Sequence, residues 1–81
     1  MKDKSQSTKV FGEVLRELRL EQGLTQEKLA ELAMMTDRSH LSALERAEKS
    51  PVLATILALA KALNITASEL IARVEQKLGA R

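Results

Sequence analysis

The stretch LTQEKLAELAMMTDRSHLSALE, residues 24–45, decides the fold, because it holds two short amphipathic helices with a tight turn between them. Thr25 is an N-cap: its hydroxyl can accept from a free backbone N–H of the first turn, and Gln26, Glu27 and Lys28 begin a run of strong helix formers. Leu29, Ala30, Leu32 and Ala33 recur at helical spacing and turn one stripe toward a core. The periodicity lapses at Met34, Met35 and Thr36, where the two methionines read as gap-filling core residues. Asp37 then supplies a second N-cap whose carboxylate suits a positive helix terminus, so the next helix opens at Arg38.

On that second helix Leu41, Leu44 and Glu45 share one side, whereas Ser39, Ser42, Ala43 and Arg46 point to the other. Small side chains permit close approach to another surface, and Arg and Ser can bond base edges or phosphates. Glu45, on the inward side, is expected to be partly buried, and a buried carboxylate must be paired. His40 is the single histidine and has neither a cysteine nor a carboxylate at ligand spacing, so it reads as packing or as a phosphate contact, and no metal site is expected.

Working outward, residues 1–8 read as a flexible N-terminus, with an arm touching DNA through Lys2 and Lys4 as the alternative. The remaining residues, 9–81, read as a single domain. Its first helix spans residues 9–21, capped by Ser7 or Thr8, with Phe11, Val14, Leu15 and Leu18 as its apolar stripe and Gly23 as a left-handed cap. Arg16 and Arg19 stand near its C-terminal end, where the helix dipole favours cations. Beyond the motif, Lys49 and Ser50 lie in a loop and Pro51 fits the first position of a helix. Residues 52–63 are apolar on nearly every side, so this helix is buried or shared with a partner, and Asn64 closes it. Thr66 caps a last helix over 67–78. Its stripe of Leu70, Ile71, Val74 and Leu78 is expected to form a dimer interface, with packing back on Phe11 and Val14 as the alternative.

Composition bounds the function. With one Phe and neither Tyr nor Trp, the core must be built from Leu, Ala, Ile, Val and Met, which with only three glycines and one proline favours an all-α fold. At 81 residues the chain is near the lower end of what buries an adequate core unaided, so dimerisation would help. Thirteen basic and eleven acidic residues leave a formal charge of only +2, so DNA affinity must come from where charge is placed. There is no cysteine, no apolar run of membrane-spanning length and no signal peptide in the polar first nine residues, from which a cytoplasmic, nucleoid-associated protein is expected. No nucleophile constellation or glycine-rich phosphate loop is present, so neither an enzyme nor a cofactor is expected.

The order LTQEKLAELA, DRSHLSALER, then a proline and a run of leucines and alanines resembles the phage-repressor-like helix-turn-helix regulators, of lambda repressor/Cro or XRE-like type. Their pattern is roughly LTQxxLA, a turn, xxxISxIExG, then P and LxxLAxAL, and the match covers residues 10–71. The chain departs from it with Met34 in the turn and Ala47 after the second helix, where the pattern has glycine, and residues 24–45 are one residue longer than usual. A longer turn is expected to remove the need for a left-handed glycine.

The resemblance implies a five-helix lambda-repressor-like domain that regulates transcription by binding double-stranded DNA as a homodimer on a palindromic operator, as stand-alone repressors and restriction-modification controller proteins do. It implies a structural ion pair between Arg19 and Glu45 and a backbone contact from Gln26. Arg38, Ser39, Ser42 and Ala43 would lie near bases, with Gln26, Arg46 and Lys49 on phosphates. Arg38 is the strongest candidate for base readout, since a guanidinium at a helix N-terminus can bond guanine O6 and N7 together, a contact worth about 1–3 kcal/mol of discrimination. RNA polymerase is a further candidate partner, while a membrane and a small-molecule ligand are not. The rival reading is an antitoxin of the same fold that neutralises a partner protein and autoregulates.

Overall fold

The computed structural model describes residues 2–80, with side chains described for residues 6–80. Five helices follow one another: α1 (Lys2–Glu21), α2 (Gln26–Leu32), α3 (Arg38–Glu45), α4 (Leu53–Ala62) and α5 (Ala67–Gly79). Among the described residues there is no strand, and no single helix is long and apolar enough to cross a membrane.

The caps act where their side chains dictate. Thr25 Oγ1 accepts from the Lys28 N–H at 3.0 Å, and Asp37 Oδ1 accepts from the N–H groups of Ser39 and His40 at 3.0 and 3.4 Å. Thr66 and Glu69 satisfy each other's backbone N–H groups in a capping box at the head of α5. Pro51 lies outside α4 rather than at its first position: Val52 takes the N-cap place, with no side-chain hydrogen bond. α1 begins at Lys2 rather than near Lys9, since neither glycine nor proline interrupts residues 2–8. The side chains of Lys2 and Lys4 lie outside those described.

Four helices end in the same closure, in which the N–H two residues past the C-cap reaches the carbonyl of the residue five earlier and the residue between turns left-handed. Those between are Gly23, Met34, Ala47 and Asn64, with φ of 69, 58, 61 and 62°. The longer turn therefore does not relieve the left-handed requirement at Met34. Met34 is also no gap-filler: it is 91% exposed at the tip of the turn, while Met35 packs against the core.

A single core runs through the middle, built from Val10, Phe11, Val14, Leu15 and Leu18 of α1, Leu29 of α2, Leu41 and Leu44 of α3, Leu59 of α4, and Leu70 and Val74 of α5. α1 crosses α3 at Gly12, where an added Cβ would lie 2.6 Å from the carbonyl oxygens of both Leu44 and Glu45. α5 packs chiefly on α1, clasped at its edge by ion pairs between Arg73 and Glu21 and between Lys77 and Glu17.

This packing corrects the expected dimer interface. Leu70 and Val74 are buried within the chain's own core, Leu78 packs against that core, and only Ile71 of the four is exposed. The stripe has one face to bury, and α1 takes it. The large apolar side chains left outside on α4 and its N-cap are Val52, Leu53 and Leu57, at 65, 70 and 52% exposure.

Candidate nucleic-acid interface

α2 and α3 form a helix-turn-helix whose orientation is set by one buried charge pair. Arg19, near the end of α1, donates from Nε to Glu45 Oε2 at 2.7 Å and from Nη2 to Glu45 Oε1 at 3.0 Å, while its Nη1 bonds the Leu24 carbonyl at 2.8 Å. Gln26 Nε2, in the first turn of α2, donates to the same Glu45 Oε1 at 3.0 Å. The Arg19 and Glu45 side chains are 9 and 3% exposed. The hydrogen bonds to Glu45 raise the Arg19 pKa above its ordinary value, against the opposing effect of burial and with the added attraction of the carboxylate charge. One carboxylate thereby ties α1, the head of α2 and the last residue of α3 together.

With the inward side fixed, the outward side of α3 presents Arg38, Ser39, Ser42 and Arg46 around a shallow hollow of about 220 Å³. A second hollow, of about 410 Å³, adjoins it and is lined by Thr25, Gln26, Glu27, Arg19 and the same Arg38. Arg38 thus stands between the head of α2 and the face of α3. Among the described residues its side chain forms no hydrogen bond or ion pair, and neither does that of Lys49, exposed in the loop beyond α3. Such an arrangement suits an anionic, grooved surface: small hydroxyls admit close approach, and the unpaired Arg38 adjoins both hollows.

Ala43 does not belong to this face. It is buried, at 9% exposure, and its carbonyl accepts from the Glu48 N–H at 2.8 Å in the closure that ends α3. Arg46 remains on the face but is engaged: Nε and Nη2 grip the Glu48 carboxylate at 3.1 and 3.0 Å. These hydrogen bonds, and then the charge attraction, push the Arg46 pKa up and hold the Glu48 carboxyl below its usual range. The sequence reading missed Glu48 as a partner of Arg46, and also Gly12, whose missing side chain lets α1 seat against the end of α3.

Comparison with known proteins agrees with this geometry. A helix-turn-helix family model matches residues 15–70. Control protein C.SmaI from Serratia marcescens is 36% identical over 64 residues, covering 79% of this chain and 75% of that protein. The crystal structure of the restriction-modification controller protein C.AhdI from Aeromonas hydrophila is similar at a TM-score of 0.74 and 46% identity, over 78% of this chain and 94% of that one. The hypothetical transcription factor NHTF from Neisseria is similar at a TM-score of 0.76 and 30% identity, over 91% and 84% of the two chains. The chain belongs to the helix-turn-helix family of DNA-binding transcriptional regulators.

Proposed function

We propose that this chain is a sequence-specific regulator that binds a palindromic operator as a homodimer, each protomer seating α3 in a major groove. The observation that carries the reading is the outward face of α3, where two guanidiniums bracket two serine hydroxyls around an open hollow. Arg38, unpaired and at the head of the helix, reads bases together with Ser39 and Ser42. Gln26, Arg46 and Lys49 meet phosphates on either side. Glu45 holds the Gln26 side chain through one N–H, leaving the amide oxygen and second N–H for DNA.

The exposed apolar patch of Val52, Leu53 and Leu57 supports dimerisation through α4, because Leu53 and Leu57 lie one turn apart on the same side of that helix. Two-fold symmetry then sets the half-sites about one turn of DNA, roughly 34 Å, apart. The likeness to C.SmaI and C.AhdI supports a role in controlling restriction-modification genes, exercised in the cytoplasm on the nucleoid by binding alone, without a cofactor. Selection of bound duplexes from a randomised pool tests the proposal. Enrichment of a two-fold symmetric sequence is the expected result. Failure to enrich any sequence contradicts it and favours a protein-binding antitoxin.

A further inference from the structure

The hollow at the head of α2 brings two opposite charges to one opening. Glu27, in the first turn of α2, and Arg38, at the start of α3, both line it, and both are exposed. Neither side chain forms a hydrogen bond or ion pair among the described residues. Lys28, the neighbouring cation on α2, is taken by Glu31. At the other end of the reading face the corresponding couple is already closed, with Arg46 holding Glu48 through two hydrogen bonds. Arg38 and Glu27 are the couple left open, across a space of about 410 Å³. An acid in the first turn also suits the helix dipole, but that role does not depend on what Arg38 meets.

We infer, building on the DNA-binding reading above, that Glu27 is a specificity-determining residue: when α3 seats in the groove, Glu27 closes on Arg38 and holds the guanidinium edge-on to a guanine. A guanidinium carries donors on more than one edge, so one edge bonds guanine O6 and N7 while another remains for a carboxylate. Unheld, a long arginine side chain turns as readily to a phosphate as to a base, and a phosphate contact carries no sequence information. Held by an acid, its donor fork points one way. Guanine meets that fork with a pair of acceptors, whereas adenine in the same place offers an acceptor beside an N–H donor. The arginine must then face a donor or abandon its acid, so the mismatch costs more than it would without Glu27. No contact of the free chain is given up when the pair forms, because neither partner has one. Seating α3 displaces water from the hollow, and a charge-assisted bond is strongest there. On a duplex that α3 does not enter, the hollow stays wet and the pair contributes little. There Glu27 acts only as a negative charge near phosphates, which weakens binding. Discrimination, a difference of affinities, gains from both effects.

The test measures affinity of the full chain for its selected operator, for that operator with the guanine read by Arg38 replaced by adenine, and for a scrambled duplex, at one salt concentration. The chains compared are the unaltered one, Glu27→Ala, Arg38→Ala and the double variant, and the guanine is located as the base whose preference Arg38→Ala abolishes. Glu27→Ala is expected to weaken operator binding and to cut the preference for guanine over adenine about tenfold, while tightening the scrambled complex by less than about threefold. In the Arg38→Ala background Glu27→Ala is expected no longer to weaken operator binding. A guanine preference that Glu27→Ala leaves unchanged or raises, or a loss of operator affinity that persists in the Arg38→Ala background, overturns the inference; the DNA-binding reading would stand. An unaltered chain that binds all three duplexes alike, or an Arg38→Ala variant with every base preference intact, overturns that reading and the inference with it.

Discussion

Arg19 and Glu45 stand 26 residues apart and face each other through two hydrogen bonds of 2.7 and 3.0 Å, with hardly any of either side chain open to water. Removing one partner leaves the other charged, buried and unmatched. Glu45→Ala or Arg19→Ala is therefore expected to lower unfolding free energy by about 3–5 kcal/mol in urea titrations. The double replacement Arg19→Met with Glu45→Leu is expected to cost less than either single change, because no stranded charge remains.

Gly12 marks the closest approach of α1 to α3. Any Cβ there would press on two backbone carbonyl oxygens at 2.6 Å, and backbone cannot swing aside as a side chain can. Gly12→Ala is expected to cost about 1–3 kcal/mol despite alanine's better helix propensity, as read by thermal or urea unfolding. The exposed helical site Ala72 is the natural control, and Ala72→Gly there is expected to lower stability by about 1 kcal/mol.

Met34 and Ala47 hold left-handed φ values of 58 and 61°, which a Cβ disfavours. Replacing either by glycine is expected to raise stability by about 1 kcal/mol, because relief of strain exceeds the added freedom of the unfolded chain. An increase in melting temperature with unchanged helix content checks this. Gly23→Ala, at φ 69°, is expected to act in the opposite direction.

Leu53 and Leu57 are exposed leucines one helical turn apart on α4. Leu53→Asp with Leu57→Asp is expected to shift the chain from dimer to monomer in sedimentation at micromolar concentration without loss of helicity. An unaltered chain that sediments as a monomer would contradict the homodimer.

What could be read from sequence follows the range of the forces involved. The caps at Thr25, Asp37 and Thr66 were legible because a cap bonds N–H groups two or three residues away. Gly23 and Asn64 were legible as helix ends for the same local reason. Periodicity gave the side on which Leu70 and Val74 lie but not what covers that side, since a stripe facing α1 and a stripe facing a second copy have the same spacing. Ala43 misled in the same way: its position on the helical wheel faces away from Leu41 and Leu44, yet it is buried, and spacing within one helix does not say what packs on a given side. Gly12 carries no local signal, because its role is set by a helix more than thirty residues away. The Arg46–Glu48 pair depends on a left-handed alanine, a conformation alanine seldom advertises.

The central claim is that the outward face of α3 and the head of α2 meet DNA. The most direct measurement is a nuclear magnetic resonance titration of isotope-labelled protein with the selected duplex, following every backbone amide. The expected result is that the largest shifts fall on Gln26, Arg38, Ser39, Ser42, Arg46 and Lys49, that α5 stays nearly unmoved, and that Arg38→Ala weakens binding by about 1–3 kcal/mol while relaxing base preference. Shifts concentrated on α5, or binding indifferent to Arg38, would contradict it.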